Sequence, residues 1–371
     1  MQLAKFWFQI ATFVLATSIA LPCAAADSQA LQQANARARQ FVRQTQEQQR
    51  IPGLQVAVIQ GGRVVLSESY GWANVENRVP VTAKTRFPLN SATKSFTGVA
   101  MMQLAQAGRV DLDAPVSRYL DGLPTAWQNI RVRQLLTHTS GLPDIVESSG
   151  SMIGGSEAVA WKTVETLPMG AAPGETFAYN QTNYGLLAKI VAKQTGGTYE
   201  RYLAERQFAV AGMPTTTFGD SYDLIPGAAT VYAYSPRQPL ADGETTRLSH
   251  WAYDIPYSLW AGGGIQTTAE ELSRWLIALS DGRLIGTDAL RAMWTPGRLN
   301  DGAAGDWGLG WPVLQTAPTR RVAGIGGARA AFVVYPDQDL AVIVLTNLAG
   351  ANPQRFVPKI AEFYLDPAPV R

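Results

Sequence analysis

The chain is poor in the residues that several kinds of chemistry require. Its 371 residues hold one cysteine, Cys23, and two histidines, His138 and His250. One cysteine forms no intrachain disulfide, and so few soft or imidazole ligands build no zinc cluster. No metal or other cofactor is therefore expected. Charged residues make up 16% of the chain and the formal net charge is +2, with no basic stripe. Nothing there suits a nucleic-acid partner. No Gly-rich loop ends in Gly-Lys-Ser/Thr, so a phosphate cradle is not expected. Gly154-Gly155-Ser156-Glu157-Ala158 imitates a nucleophile elbow but lacks its last glycine and a preceding strand. It reads as a helix start. No internal repeat or low-complexity linker divides the chain.

Residues 1–26 read as a secretory signal: Lys5, then the apolar run Phe6–Leu21, then Ala24-Ala25-Ala26 before Asp27. Cleavage after Ala26 would remove the only cysteine and leave no stable membrane span. Export without disulfides fits a periplasmic or secreted protein.

Residues 28–49 carry spaced Leu31, Ala38, Phe41 and Val42, the pattern of an amphipathic helix ended by Pro52-Gly53. Leu54–Ile59 and Val64–Tyr70 read as strands joined at Gly61-Gly62. From Asp111 to Leu259, helical pieces at 132–136, 158–167, 184–194 and 200–208 alternate with Gly/Pro-rich loops. Ala261-Gly262-Gly263-Gly264 breaks the pattern. A helix follows, with threonine available as its N-cap and acids in its first turn. Strands are expected at 309–314, 321–325, 330–335 and 340–346, then a helix at 353–364. Strands at both ends with helices between predict one α/β (α+β) domain over 27–371. Its body is formed by about 27–110 and 261–371, with a helical insertion at about 111–260.

One stretch carries chemistry. Ser91-Ala92-Thr93-Lys94 opens an apolar helix expected to run to about Gly108, and places a hydroxyl and an amine one turn apart. If the helix begins at Ser91, that hydroxyl lies beside free N–H groups at the positive end of the dipole. A buried amine makes a usable base, and a serine so placed is a candidate acyl-transfer nucleophile that needs no histidine.

Further landmarks follow in order: Leu135-Leu136-Thr137-His138-Thr139-Ser140-Gly141-Leu142-Pro143, Phe177-Ala178-Tyr179-Asn180-Gln181-Thr182-Asn183-Tyr184-Gly185, Ala261-Gly262-Gly263 and Gly324-Ile325-Gly326-Gly327. With Ser91-Ala92-Thr93-Lys94 they resemble the serine β-lactamase and penicillin-binding superfamily from about Ile51 to Asn347. The likeness is greatest to the class C β-lactamase-like branch, with its D-Ala-D-Ala carboxypeptidases, D-amino-acid peptidases and esterases. The resemblance implies the β-lactamase/transpeptidase-like fold, an antiparallel sheet flanked by helices. It implies Ser91 as nucleophile, with Lys94 and Tyr179 as coupled base and proton relay. The N–H groups of Ser91 and Ala328 would form the oxyanion hole, and His138 would have a structural hydrogen-bonding role.

Two positions depart from the family pattern. Gln181 stands where Tyr-x-Asn has asparagine; its amide could still reach a substrate carbonyl, and Asn183 could compensate. Ile325 replaces the lysine or histidine of the third motif. Gly327 still allows close backbone approach, and Arg329 could supply the missing charge or stand as a solvated strand-end arginine. Trp251, Trp260, Trp307 and Trp311 are candidates for a cleft wall or for the core. The expected reading is an ester- or amide-cleaving hydrolase, esterase- or D-peptidase-like, acting on a small ester, amide or β-lactam, with cell-wall peptides among the candidates. The alternatives are a class C β-lactamase and a non-catalytic penicillin-binding-like protein.

Overall fold

The computed structural model describes residues 21–147, 150–234 and 247–365. Most of the expected signal segment lies outside them. Helix α1 (Leu21–Gln48) leads into strands β1 (Gly53–Gln60), β2 (Arg63–Asn74), β3 (Val79–Pro80) and β4 (Phe87–Pro88). A 3₁₀ turn, Asn90–Thr93, runs directly into α2 (Lys94–Gln106). Next come α3 (Val132–Leu136), α4 (Glu157–Val164), α5 (Gln181–Thr195), α6 (Tyr199–Leu203) and, after a π-helical turn, α7 (Ala209–Ala211). Short strands β5 (Thr217–Phe218), β6 (Tyr232–Ala233) and β7 (Ser249–His250) precede α8 (Trp260–Gly263), β8 (Ile265–Thr267), α9 (Ala269–Ser280) and α10 (Thr287–Met293). The chain closes with β9 (Val313–Gln315), β10 (Arg321–Gly326), β11 (Ala330–Tyr335), β12 (Leu340–Thr346) and α11 (Val357–Leu365).

The main sheet has seven strands in the order β3-β2-β1-β12-β11-β10-β9, antiparallel throughout. Strand β1, from the start of the chain, pairs with β12 near its end, with Leu54 opposite Thr346 and Gln60 opposite Leu340. The sheet is covered on both faces. Ala57, Ile59, Phe332, Val334, Ile343 and Leu345 enter one core with residues of α2 and α9. Val56, Val58, Ala331, Val333, Val342 and Val344 enter a second with α1 and α11. This strict alternation is the period-two geometry of a strand, and burial of both faces explains why β11 and β12 read as unbroken apolar runs.

Local signals act where expected. Gly61 and Gly62 take φ of 58° and 68° in the β1–β2 turn, which asks for positive φ at both central positions. Thr268 caps α9 by accepting the Glu271 N–H at 3.1 Å. Ser156 caps α4 rather than forming an elbow. The expected strand at 309–314 is corrected: the strand proper is Val313–Gln315, preceded only by an isolated bridge from Pro312 to Trp307. Gly310 has φ 91°, and a Cβ at Gly98 of α2 would stand 2.3 Å from the Leu309 carbonyl oxygen. That segment bends to press its backbone onto α2, which strand geometry would forbid.

Candidate active site

Ser91 lies within the 3₁₀ turn before α2, not at the first residue of an α-helix. Three interactions hold that turn. The Leu89 N–H donates to the Ile265 carbonyl at 2.8 Å, the Ile265 N–H donates to Thr93 Oγ1 at 3.2 Å, and strand β10 crosses it at Gly326. A Cβ on Gly326 would fall 1.8 Å from the Leu89 oxygen and 2.8 Å from the Ser91 nitrogen. Only glycine permits that approach.

The hydrogen-bond partner of Ser91 Oγ is the phenol of Tyr179, which donates at 2.7 Å. Lys94 does not fill that place. Its side chain is 1% exposed, and Nζ donates to Gly262 O at 2.8 Å and Gln181 Oε1 at 3.0 Å. Nζ also lies 4.8 Å from the centre of the Tyr179 ring and 5.0 Å from that of Tyr184. Serine, phenol and amine are thus brought together, with Tyr179 beside the hydroxyl and the amine behind it. A Cβ at Gly262 would meet Gln181 Oε1 at 3.1 Å and Lys94 Nζ at 3.3 Å, so the glycine break at 261–264 makes room for the amine.

His138 holds Tyr179 from behind. Its carbonyl accepts the Ala178 N–H at 2.9 Å and its Nδ1 accepts the Asn180 N–H at 3.1 Å, gripping the residues on either side of Tyr179. The ring lies 4.5 Å from that of Tyr179 and 4.9 Å from Trp307. Burial, with a smaller push from Lys94, holds the imidazole well below its usual range, so it is neutral. This is the hydrogen-bonding role expected of it.

The other expected site residues are distributed unevenly. Gln181 meets the amine, so its acceptor is engaged. Asn183 is fully buried, accepting from Ser140 Oγ at 2.6 Å and touching His138 Nδ1 at 3.2 Å, and it does not face a cleft. The N–H groups of Ser91 and Ala328 are taken up by no protein acceptor among the described residues. Ala328 has φ 53° and follows Gly327 at 57°. Ile325 packs against the second core, opposite to the face by which Gly326 meets Ser91. Arg329 is not a solvated strand-end residue. It is 3% exposed, donates from Nε to Asn90 Oδ1 at 2.8 Å, and lies 4.6 Å from the Tyr253 ring centre. Of the tryptophans, Trp307 joins the site with Phe177 at 6.1 Å and Tyr179 at 5.7 Å. Trp311 stacks on Trp275 in the core, Trp260 stacks on Phe218, and Trp251 is exposed.

Sequence reasoning missed three residues. Asn90, with φ 46°, precedes Ser91 and accepts from Arg329. Gly326 admits the turn. Asp144 Oδ1 accepts the Gln181 N–H at 3.0 Å and the Val146 N–H at 3.2 Å at the start of α5. Burial raises the Asp144 carboxyl above its usual range, partly offset by those bonds. The available signals were an asparagine before the serine, doubled glycine, and aspartate after Gly-Leu-Pro; none names its role without the fold. No cluster of metal-ligating side chains occurs among the described residues.

The sequence matches the Beta-lactamase family over residues 38–364. It is 28% identical over 308 residues to penicillin-binding protein 4* of Bacillus subtilis, covering 79% of this chain and 67% of that protein. It is 25% identical over 325 residues to protein flp of Staphylococcus aureus, covering 84% of this chain and 62% of that protein. The chain thus spans under two thirds of the flp length. Among solved structures, the octameric penicillin-binding protein homologue from Pyrococcus abyssi matches with a TM-score of 0.74 at 26% identity, over 90% of this chain and 78% of that one. EstCE1, a hydrolase with promiscuous acyltransferase activity, has the same fold: TM-score 0.74 at 20% identity, over 91% of this chain and all of that one. The chain belongs to the Beta-lactamase family.

Proposed function

From that membership we propose that the protein is a serine hydrolase that cleaves an ester or amide through an acyl-enzyme on Ser91. The observation that carries this reading is the 2.7 Å bond from the Tyr179 phenol to Ser91 Oγ, with the buried Lys94 amine under the Tyr179 ring. Ser91 Oγ attacks the carbonyl carbon, and its proton passes to the Tyr179–Lys94 pair. The N–H groups of Ser91 and Ala328 receive the oxyanion. The pair returns the proton to the leaving alcohol or amine, and water releases the acyl group by the same steps.

The altered third motif turns this reading toward esterase or D-peptidase-like substrates and away from a true β-lactamase. Ile325 carries no charge and Arg329 is buried, so neither offers a cation to a substrate carboxylate. The leader-like first 26 residues support a periplasmic or secreted location. Purified protein is tested against p-nitrophenyl butyrate, nitrocefin, D-amino-acid amides and D-Ala-D-Ala peptides. Turnover of an ester or D-amide that Ser91→Ala abolishes supports the reading, and unchanged turnover in that variant refutes it. A stoichiometric penicillin adduct without turnover of any substrate would favour the binding protein instead.

A further inference from the structure

Arg329 is an unusual residue to find in a protein interior. Its guanidinium is almost fully enclosed, yet it makes no ion pair among the described residues, and the carboxylates that normally accompany such a group are missing. One nitrogen donates to Asn90 Oδ1 at 2.8 Å, the Tyr253 ring lies beneath it at 4.6 Å, and Nη1 has no partner among the described residues. Burial pushes its pKa down to about 10, which leaves it charged at neutral pH. The neighbouring Tyr253 phenol is pushed up to about 12 by burial and stays neutral. A buried charge without a counter-charge is costly, and the cost calls for a compensating role.

Its position supplies one. Arg329 follows Ala328 directly, and Asn90 precedes Ser91 directly. A Cβ on Gly327 would lie 2.6 Å from Asn90 Oδ1 and 2.8 Å from Arg329 Nε, so the side chain folds back across Gly327 toward the Ser91 turn. The cation is therefore held against Gly327 and Asn90, the residues that immediately precede Ala328 and Ser91, whose N–H groups would receive the oxyanion. We infer that Arg329 is a positioning and electrostatic residue whose buried charge is compensated only when negative charge develops between the Ser91 and Ala328 N–H groups. An interaction present only in the charged intermediate accelerates the chemical step rather than tightening substrate binding. Because Arg329 is 3% exposed, its attraction to that charge is screened less than that of a surface cation. Arg329 thus faces the reacting carbonyl from the protein side and does not hold a substrate carboxylate.

The inference rests on the acyl-enzyme reading, and the test separates the two. Arg329→Gln keeps a donor for Asn90 but removes the charge; Arg329→Lys keeps the charge and shortens the reach; Arg329→Met removes both. Steady-state kinetics, thermal melting and binding of benzeneboronic acid are measured on each. In the boronate adduct Ser91 Oγ bonds to boron, the serine proton is released, and the tetrahedral boron carries the negative charge.

The expected result is a loss in kcat of about tenfold to a hundredfold in Arg329→Gln and Arg329→Met, below the loss when a direct oxyanion donor is removed. KM should stay within about twofold and boronate affinity should fall in parallel with kcat. Arg329→Lys should keep most of both. The melting temperature of Arg329→Gln should not fall, since an uncompensated charge has been taken out of the interior. Wild-type kcat and boronate affinity in Arg329→Gln would overturn the inference. So would losses that track a lower melting temperature equally in all three variants. Turnover and boronate binding that survive in Ser91→Ala would instead refute the acyl-enzyme reading, and the inference with it.

Discussion

Gly326→Ala adds one methyl group at the point where the sheet meets the Ser91 turn. The new Cβ would stand 1.8 Å from the Leu89 carbonyl oxygen and 2.8 Å from the nitrogens of Ser91 and Ala92. Ordinary carbon contacts begin near 3.4 Å, so β10 and the turn must part by about 1.5 Å or more. Neither side yields by rotating a side chain. The Leu89 oxygen is tied to the Ala92 N–H at 3.1 Å and the Leu89 N–H to Ile265, while β10 is laddered to β11 from Val322 to Gly326. Overpacking of this kind costs about 1–3 kcal/mol, which corresponds to a fall of a few degrees in melting temperature for a chain of this size. The catalytic loss should be larger in proportion. A displacement of about 1 Å between reacting groups can cost on the order of a hundredfold, and here Ser91 moves relative to the Ala328 N–H as well. The assay is kcat/KM for p-nitrophenyl butyrate beside calorimetric melting. Gly197→Ala serves as the control, because its Cβ meets only Arg201 Cδ at 3.9 Å. A Gly326→Ala enzyme within threefold of the parent in kcat/KM would refute the claim that the glycine is required by close approach to the turn.

Tyr179→Phe removes the phenol that donates to Ser91 Oγ at 2.7 Å while leaving the ring against His138. Acylation, followed by the burst of p-nitrophenol in stopped flow, should slow by about 10²–10⁴-fold with the melting temperature little changed; a burst of normal rate would refute the relay. His138 gives a pH signature in stability. Its folded-state pKa is depressed by burial, so between that value and the unfolded value near 6.5 only the unfolded chain takes up the proton. Stability should therefore be present above about pH 6.5 and fall as the pH drops, by up to about 1.4 kcal/mol per pH unit from this group. Urea midpoints at pH 7, 6 and 5 measure the slope, with His138→Asn as the comparison because asparagine tolerates the φ of 57°. Equal slopes in the two proteins would refute the assignment.

What the chain discloses before folding is set by how local each feature is. Ser91 and Lys94 are three residues apart, and the Gly61-Gly62 turn and the Thr268 cap are equally local, so pattern reading reaches them. The partners of Lys94 are 87 and 168 residues away, and although both lie in recognisable landmarks, nothing local marks the Gln181 amide or the Gly262 carbonyl as a partner of the amine. The same holds for Arg329 and Asn90, 239 residues apart. An arginine after Gly-Gly-Ala reads equally as a charge offered to substrate or as a strand-end side chain in water, and only the return of β10 across the Ser91 turn shows it inside. The strand expected at 309–314 begins only at Val313, for a related reason. Its apolar content belongs to a core, but Gly98 lets it dock by backbone instead of by a ladder.

The distribution of charge around Ser91 bears on which acyl groups the site can accept. The cation nearest the reacting hydroxyl in sequence, Lys94, is occupied by two acceptors, and Arg329 is enclosed behind Asn90. Two partly exposed aromatic side chains stand beside Tyr179, Phe177, 43% exposed, and half-buried Trp307, while the partly exposed Gln181 and Asp144 are tied to Lys94 and to the start of α5. An acyl group gains there through apolar area, at about 25 cal/mol for each Å² removed from water, rather than through an ion pair. On the proposed mechanism, charge in this site would act on the transition state and would not anchor a ground-state carboxylate. If the proposed function holds, the enzyme would distinguish substrates by shape and apolar surface, the selectivity of an esterase or amidase more than of an enzyme that grips an anionic leaving fragment.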